Sequence, residues 1–234
     1  MGSIRLPGKM MMKLGGEPLL KWVLERVLGA QLVTKFFLAT STREDNDDLV
    51  DFASTYPIVV IRGSETDVVS RFDRICTSEK PDAVIRVCAD NPFVCPVLID
   101  ELVEAYIADP CDYICNHRPI GDSKYSDGFG AELLGSKSII RMNDMTKSAE
   151  MREHVTQFVL KNKNLFRCNF LLAPSQYAYP ELKFDVDTEE DLRRLDRLVK
   201  ALEITIETSA LDIISKIPKV PSQQLDPRET NGNE

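Results

Sequence analysis

Positive charge is in short supply: 29 Lys and Arg stand against 37 Asp and Glu, a net charge of −8 over 234 residues. Surfaces that hold nucleic acid do so with clustered Lys and Arg, so this balance excludes a general nucleic-acid face and requires any anionic ligand to be captured locally. Paired cysteine motifs are absent. Cys76, Cys88, Cys95, Cys111, Cys115 and Cys168 are unevenly spaced without a CxxC, and several lie in apolar runs such as VIRVCAD and DYICN, which points to reduced, mostly buried thiols. No run approaches the roughly 20 apolar residues that cross a bilayer, and the N-terminus has no apolar signal-peptide core. The sequence reads as cytoplasmic, with no membrane partner. A GxxxxGK[ST] loop is missing too, because Met10 follows Lys9. Nor is there a convincing Ser/His/Asp or Cys/His set for covalent catalysis.

What is present is a core-forming chain, 43% hydrophobic, long enough for one enzyme-sized unit over 1–218 with a Pro-rich polar tail over 219–234. PLLKWVLERVL carries a helical apolar stripe, with Pro18 suited to the first turn. KFFLAT then predicts a strand, EDNDDLVDFAST a helix, IVVI a strand, SETDVVSRFDRICTSE a helix, AVIRVCA a strand and PVLIDELVEAYIA a helix. That alternation predicts an α/β fold, a doubly wound and mostly parallel sheet covered on both faces. Over 111–180 the rhythm loosens into strand candidates DYICN, GFGAELL and FRCNFLLAP with helices at 136–145 and 150–163, a mixed extension for substrate contacts. LKFDV and EEDLRRLDRLVKALE resume the strand and helix pattern.

In such folds ligands sit beyond the carboxyl ends of the strands, which singles out three loops. The opening GSIRLPGK offers glycines for close backbone approach to an anion, with Arg5 and Lys9 as fixed cations, within a stretch 1–30 that sets Arg5, Lys9, Lys13, Lys21 and Arg26 against Glu17 and Glu25. An ordinary solvated loop is the competing reading. Asp90 in RVCADNPF stands at a strand's end, where a carboxylate suits Mg²⁺ or simply forms a turn. Asp187 in KFDVDTEEDL is read either as a second metal carboxylate or as a helix cap, and Asp185, two residues away, competes for the role.

Taken together these stretches resemble the sugar-acid cytidylyltransferases, the CMP-sugar synthetases, and in particular their spore-coat polysaccharide branch. The likeness runs through MGSIRLPGKMMMKLGGEPLLKWVLERV, ATSTREDNDDLV, VVIRGSETDVVSRF, VIRVCADNPFVCPVLID, YSDGFGAELL, SAEMREHVTQFV and FDVDTEEDL, about residues 1–200. The resemblance implies a nucleotidyltransferase of the nucleotide-diphospho-sugar type that activates a 2-keto sugar acid with CTP for surface glycan biosynthesis. It implies that Arg5 and Lys9 bind the CTP phosphates, that Gly2, Ser3 and Gly8 shape the loop, and that Asp90 and Asp187 hold Mg²⁺. Ala89 departs from the family glycine before that first aspartate. Arg62 is implied near the nucleotide, and Glu153 and His154 on the sugar side. His117 matches no motif and receives no role. A homodimer built through 111–180 is also implied.

The reaction would be in-line attack of a sugar hydroxyl on the α-phosphorus of CTP, with pyrophosphate leaving. Two alternatives stay open at this level: a nucleotidyltransferase for another sugar or nucleotide, and an inactive nucleotide-binding relative. The opening loop has no apolar strand before it, whereas in the family that this sequence resembles, an apolar strand near the sheet's centre leads into that loop, so the resemblance implies a chain shortened ahead of Met1.

Overall fold

The computed structural model describes residues 6–117 and 123–217. The chain enters through a 3₁₀ turn, Lys9–Met11, introduced by Gly8 at φ 73°. A short antiparallel hairpin of β1 (Lys13–Leu14) and β2 (Glu17–Pro18) then feeds helix α1 (Leu19–Val27). β3 (Phe37–Ser41), α2 (Asp47–Ala53) and β4 (Val59–Gly63) form a crossover unit whose strands pair in parallel, Phe37 opposite Val59 through Ser41 opposite Gly63. α3 (Val68–Glu79), β5 (Ala83–Arg86) and α4 (Pro96–Ala108) follow. α4 starts where Pro96 sets the first-turn dihedral without sacrificing a needed donor.

Next come β6 (Tyr113–Cys115), β7 (Glu132–Gly135), α5 (Ser136–Met145), α6 (Ala149–Glu153), α7 (Gln157–Lys161) and β8 (Cys168–Phe170), and the chain closes with α8 (Glu189–Ala201) and α9 (Ala210–Lys216). The second sheet has the order β5, β7, β6, β8, with β7 antiparallel to its neighbours and β6 parallel to β8. Its two faces are both covered, as the alternation of adjacent residues shows. Tyr113 and Leu134 pack with Val69, Ile139 and Met142 under α3 and α5, whereas Ile114 and Leu133 pack with Ile99 and Leu102 of α4. A third cluster joins Leu19, Trp22 and Leu24 of α1 to Leu195 of α8 and Ile213 of α9 around Phe93, Phe129 and Phe184.

Buried Arg26 clasps the two ends of the chain. Its guanidinium donates to the Val94 carbonyl at 2.8 Å and to the carbonyls of Ile206 and Thr208 at 2.7 and 2.8 Å.

The α/β architecture with helices on both faces matches the sequence reading, with three local differences. The helix expected over 150–163 is broken between α6 and α7, where Val155 turns into the core and is 1% exposed. LKFDV forms no regular strand because its amides serve two neighbours: Phe184 donates to Asp127 at 2.9 Å, Val186 to Asp90 at 2.9 Å, and only the Asp127 and Lys183 pair makes a bridge. Pro18 precedes α1 rather than sitting within its first turn. The tail over 219–234 lies outside the described residues. Among the described residues no helix is long and apolar enough to cross a membrane.

Candidate active site

Three segments far apart in sequence meet beyond the carboxyl end of β5. Lys9 follows Gly8, whose left-handed backbone suits glycine. The Lys9 ammonium donates to Asp90 Oδ2 at 3.1 Å and to the Val186 carbonyl at 2.8 Å. The Asp90 carbonyl in turn accepts the Val186 N–H, so the turn carrying Asp90 and the segment carrying Asp187 are fastened backbone to backbone. Lys9 and Asp90 thus meet at the backbone of Val186, next in the chain to Asp187.

Asp187 has a competing explanation as a helix cap, and the structure gives the cap to its neighbour. The Thr188 hydroxyl accepts from the Asp191 N–H while the Asp191 carboxylate accepts from the Thr188 N–H, a reciprocal capping box at the start of α8. Asp185 lies deeper. Burial, and after it the nearby Asp127 carboxylate, push its acid above the usual range, which disfavours the charged form a metal requires.

Support for Asp90 comes from below. Four residues earlier Arg86 pairs with buried Glu132, and the Tyr113 hydroxyl donates to the other Glu132 oxygen at 2.6 Å. Burial alone would raise the Glu132 acid, but Arg86, His117 and Tyr113 outweigh it and hold the carboxyl below its usual range. His117, left without a role in the sequence reading, is buried here: Nδ1 lies 3.4 Å from Asn91 Nδ2 and Nε2 lies 4.0 Å from Cys88 Sγ, residues that flank Asp90. A single histidine after an apolar strand carries no signal of that proximity. Burial pushes the thiols of Cys76, Cys95, Cys111 and Cys168 up, so they are neutral at physiological pH and poor nucleophiles.

The remaining expected residues divide. Glu153 reaches the site region: it lines a cavity of about 300 Å³ together with Lys9, Ser41, Asn46, Arg71 and Ala89. His154 is exposed just past the end of α6 and is not among that cavity's lining. Arg62 is committed to the 41–47 segment, donating to the carbonyls of Ser41 and Arg43 and to the Asp47 carboxylate at 2.6 Å, so it braces that turn and does not join Lys9. Gly2, Ser3 and Arg5 lie outside the described residues.

Asp90 and Asp187 fit a hard divalent cation: both are carboxylates, both are half-buried, and they sit on hydrogen-bonded segments. Among the described residues no three His, Cys, Asp or Glu gather as a metal cluster. One or two carboxylates are what Mg²⁺ usually takes from protein when phosphate oxygens and water complete its shell.

Comparison with known proteins gives a consistent picture. A family model described as cytidylyltransferase matches residues 1–225. The chain is 31% identical over 228 residues to the spore coat polysaccharide biosynthesis protein SpsF of Bacillus subtilis (strain 168), covering 94% of this chain and 92% of that protein. It is 30% identical to the 3-deoxy-manno-octulosonate cytidylyltransferase of Bdellovibrio bacteriovorus, over 47% of this chain and 43% of that one. Among solved structures, a cytidylyltransferase from Leptospira borgpetersenii superposes with a TM-score of 0.87 at 22% identity, over 99% of this chain and 95% of its own, which shows the shared fold.

Proposed function

The chain belongs to the cytidylyltransferase family, and from that premise we propose that it transfers a cytidylyl group from CTP to a 2-keto sugar acid, giving a CMP-sugar and pyrophosphate for surface glycan assembly. The observation that carries the reading is the convergence of Lys9, Asp90 and the Asp187 segment at one strand end. The sugar-acid half rests on likeness to a spore coat polysaccharide biosynthesis protein and to a 3-deoxy-manno-octulosonate cytidylyltransferase.

In this reading the anomeric hydroxyl oxygen of the sugar acid bonds to the α-phosphorus of CTP. The bond from that phosphorus to the bridging oxygen breaks, pyrophosphate departs with the electron pair, and the hydroxyl proton passes to solvent or a nearby base. No covalent enzyme intermediate is required, so positioning and charge neutralisation supply the catalysis. Lys9 exchanges its contact with Asp90 for phosphate oxygens, and Arg5, Gly2, Ser3 and Gly8 keep the phosphate-binding roles that the resemblance implies. Asp90 and Asp187 would hold Mg²⁺, which when bound neutralises phosphate charge. Glu153 meets the acceptor side, with His154 adjoining it in sequence. The Arg86 and Glu132 pair fixes the strand end from which Asp90 projects.

The test is pyrophosphate release with each of the four nucleoside triphosphates, Mg²⁺ and a panel of eight- and nine-carbon 2-keto sugar acids. Turnover with CTP and at least one such acid is expected. Release with another nucleotide in preference to CTP, or none with any acid while CTP binds, would replace the reading by one of a different donor or of a binding protein.

A further inference from the structure

His117 follows the carboxyl end of β6, yet its ring rests on the turn that carries Asp90 beyond the carboxyl end of β5, although β7 lies between those two strands. Gly130, just ahead of β7, makes the crossing possible. A Cβ there would lie 1.9 Å from the Asn116 carbonyl oxygen, so any side chain would push the 116–117 segment away. Asn116 anchors that segment, donating from Nδ2 to the Leu98 carbonyl at 2.7 Å and accepting the Ala131 N–H on Oδ1 at 3.0 Å. The imidazole is thereby held in one place, and it is buried there at 9% exposure.

Its two nitrogens meet the two flanks of Asp90. Asn91 Nδ2 can only donate, so His117 Nδ1 accepts at 3.4 Å and the ring proton is left on Nε2, which faces Cys88 Sγ at 4.0 Å. Asn91 is 1% exposed and its backbone closes the turn, its N–H donating to the Cys88 carbonyl at 3.1 Å and its carbonyl accepting from Val94 at 3.2 Å. The Asp90 side chain between these flanks stays 29% exposed, so its direction is set by the turn more than by packing around the carboxylate. Groups that hold the neighbours of a ligand carboxylate control how well that carboxylate binds. Building on the cytidylyltransferase reading of the site, we propose that His117 is a positioning residue for Asp90: through Asn91 and Cys88 it sets the direction in which the carboxylate meets a divalent cation. It acts through those two residues and not on the substrate. A histidine that merely fills the interior has no need of the nitrogen on Asn91, and that difference supplies the test.

Calorimetric titration of Mn²⁺ in the presence of CTP is compared with CTP affinity in EDTA, for the parent and for Asp90→Asn, His117→Phe, His117→Gln, Asn91→Ala and the double variant His117→Phe/Asn91→Ala. His117→Phe keeps a ring but removes both nitrogens, and it is expected to weaken Mn²⁺ binding on the order of tenfold while CTP affinity in EDTA is unchanged. His117→Gln, whose amide oxygen can accept from Asn91, should recover part of the loss. Asn91→Ala removes the same contact from the other side, so it should match His117→Phe, and the double variant should be no weaker than either. It also decides the matter if His117→Phe does not fold. Parent-like Mn²⁺ affinity in His117→Phe or Asn91→Ala, with Asp90→Asn impaired, overturns this proposal alone. Equal loss of metal-free CTP affinity and melting temperature in the Phe and Gln variants does so too, and leaves His117 a packing residue. A parent that binds no Mn²⁺, or an Asp90→Asn variant that binds it as the parent does, removes the metal reading of Asp90 and this proposal with it.

Discussion

Lys9 and Asp90 touch at 3.1 Å across 81 residues of chain, and the same ammonium holds the Val186 carbonyl at 2.8 Å. One cation thereby ties the opening loop to both acidic segments. It is also the described cation in place to receive triphosphate in an acidic protein, where screening beyond about 8 Å removes help from distant charge. Lys9→Met should lower CTP affinity by tenfold or more, with Lys9→Arg recovering part of it. Titration calorimetry with CTP and Mg²⁺ checks this, and unchanged affinity in Lys9→Met would return the segment to an ordinary loop.

Asp90→Asn and Asp187→Asn should each reduce kcat by orders of magnitude while the melting temperature stays within a few degrees of the parent. Each change removes a charge of the proposed metal site without removing volume. Thr188→Ala is the control. It deletes the cap and should cost about 1 kcal/mol of stability while leaving the rate close to normal. Should Asp187→Asn behave like Thr188→Ala, Asp187 serves the helix and not the reaction.

Asp185→Asn should separate the two neighbouring acids in the opposite direction. The folded protein raises the Asp185 acid above its ordinary 3.8, through burial and then Asp127. Between 3.8 and that higher folded value the native state holds the proton that the unfolded chain releases, so rising pH favours unfolding. The asparagine variant should therefore melt higher than the parent at pH 7, lose that advantage below pH 3.8, and retain turnover. A lower melting temperature at neutral pH would show that the ionised Asp185 stabilises the fold.

Glu132→Ala should destabilise the protein by about 3–5 kcal/mol, because it strands Arg86 and the Tyr113 hydroxyl in the interior. The depressed Glu132 acid sets the pH sign. Its contribution is present in full above its ordinary value of 4.5 and is lost as the pH falls through the lower folded value. Denaturant melts of parent and variant from pH 3 to 8 should thus diverge most at neutral pH and converge in acid.

Much of this was readable before any coordinates, and unevenly so. α4 could be placed because Pro96 marks its start and its apolar residues repeat at helical spacing. Asp90 stands out because a carboxylate falls where a strand ends, and Lys9 because glycines and cations gather just before the first helix. The meeting of those residues with Val186 could not be read, since it depends on hydrogen bonds between segments that are remote in sequence. LKFDV has strand composition, but composition does not tell that its amides answer to both Asp127 and Asp90. Nor does periodicity show that Val155 interrupts a helix to fill the core. His117 was invisible for a similar reason, as its neighbours Cys88 and Asn91 come from another strand's end.

The Arg26 clasp has a consequence for how the protein comes into being. Its partners at Ile206 and Thr208 lie 180 and 182 residues downstream, and the Gly15 N–H similarly waits for the Asp196 carboxylate, 181 residues away. During synthesis α1 leaves the ribosome well before those partners, so the buried guanidinium cannot be fully satisfied until the chain through Thr208 has followed. At about 5–20 residues per second the N-terminal segment spends on the order of ten seconds or more without its final contacts. A nascent chain stalled before Thr208 therefore carries a buried Arg26 that still lacks one of its carbonyl acceptors.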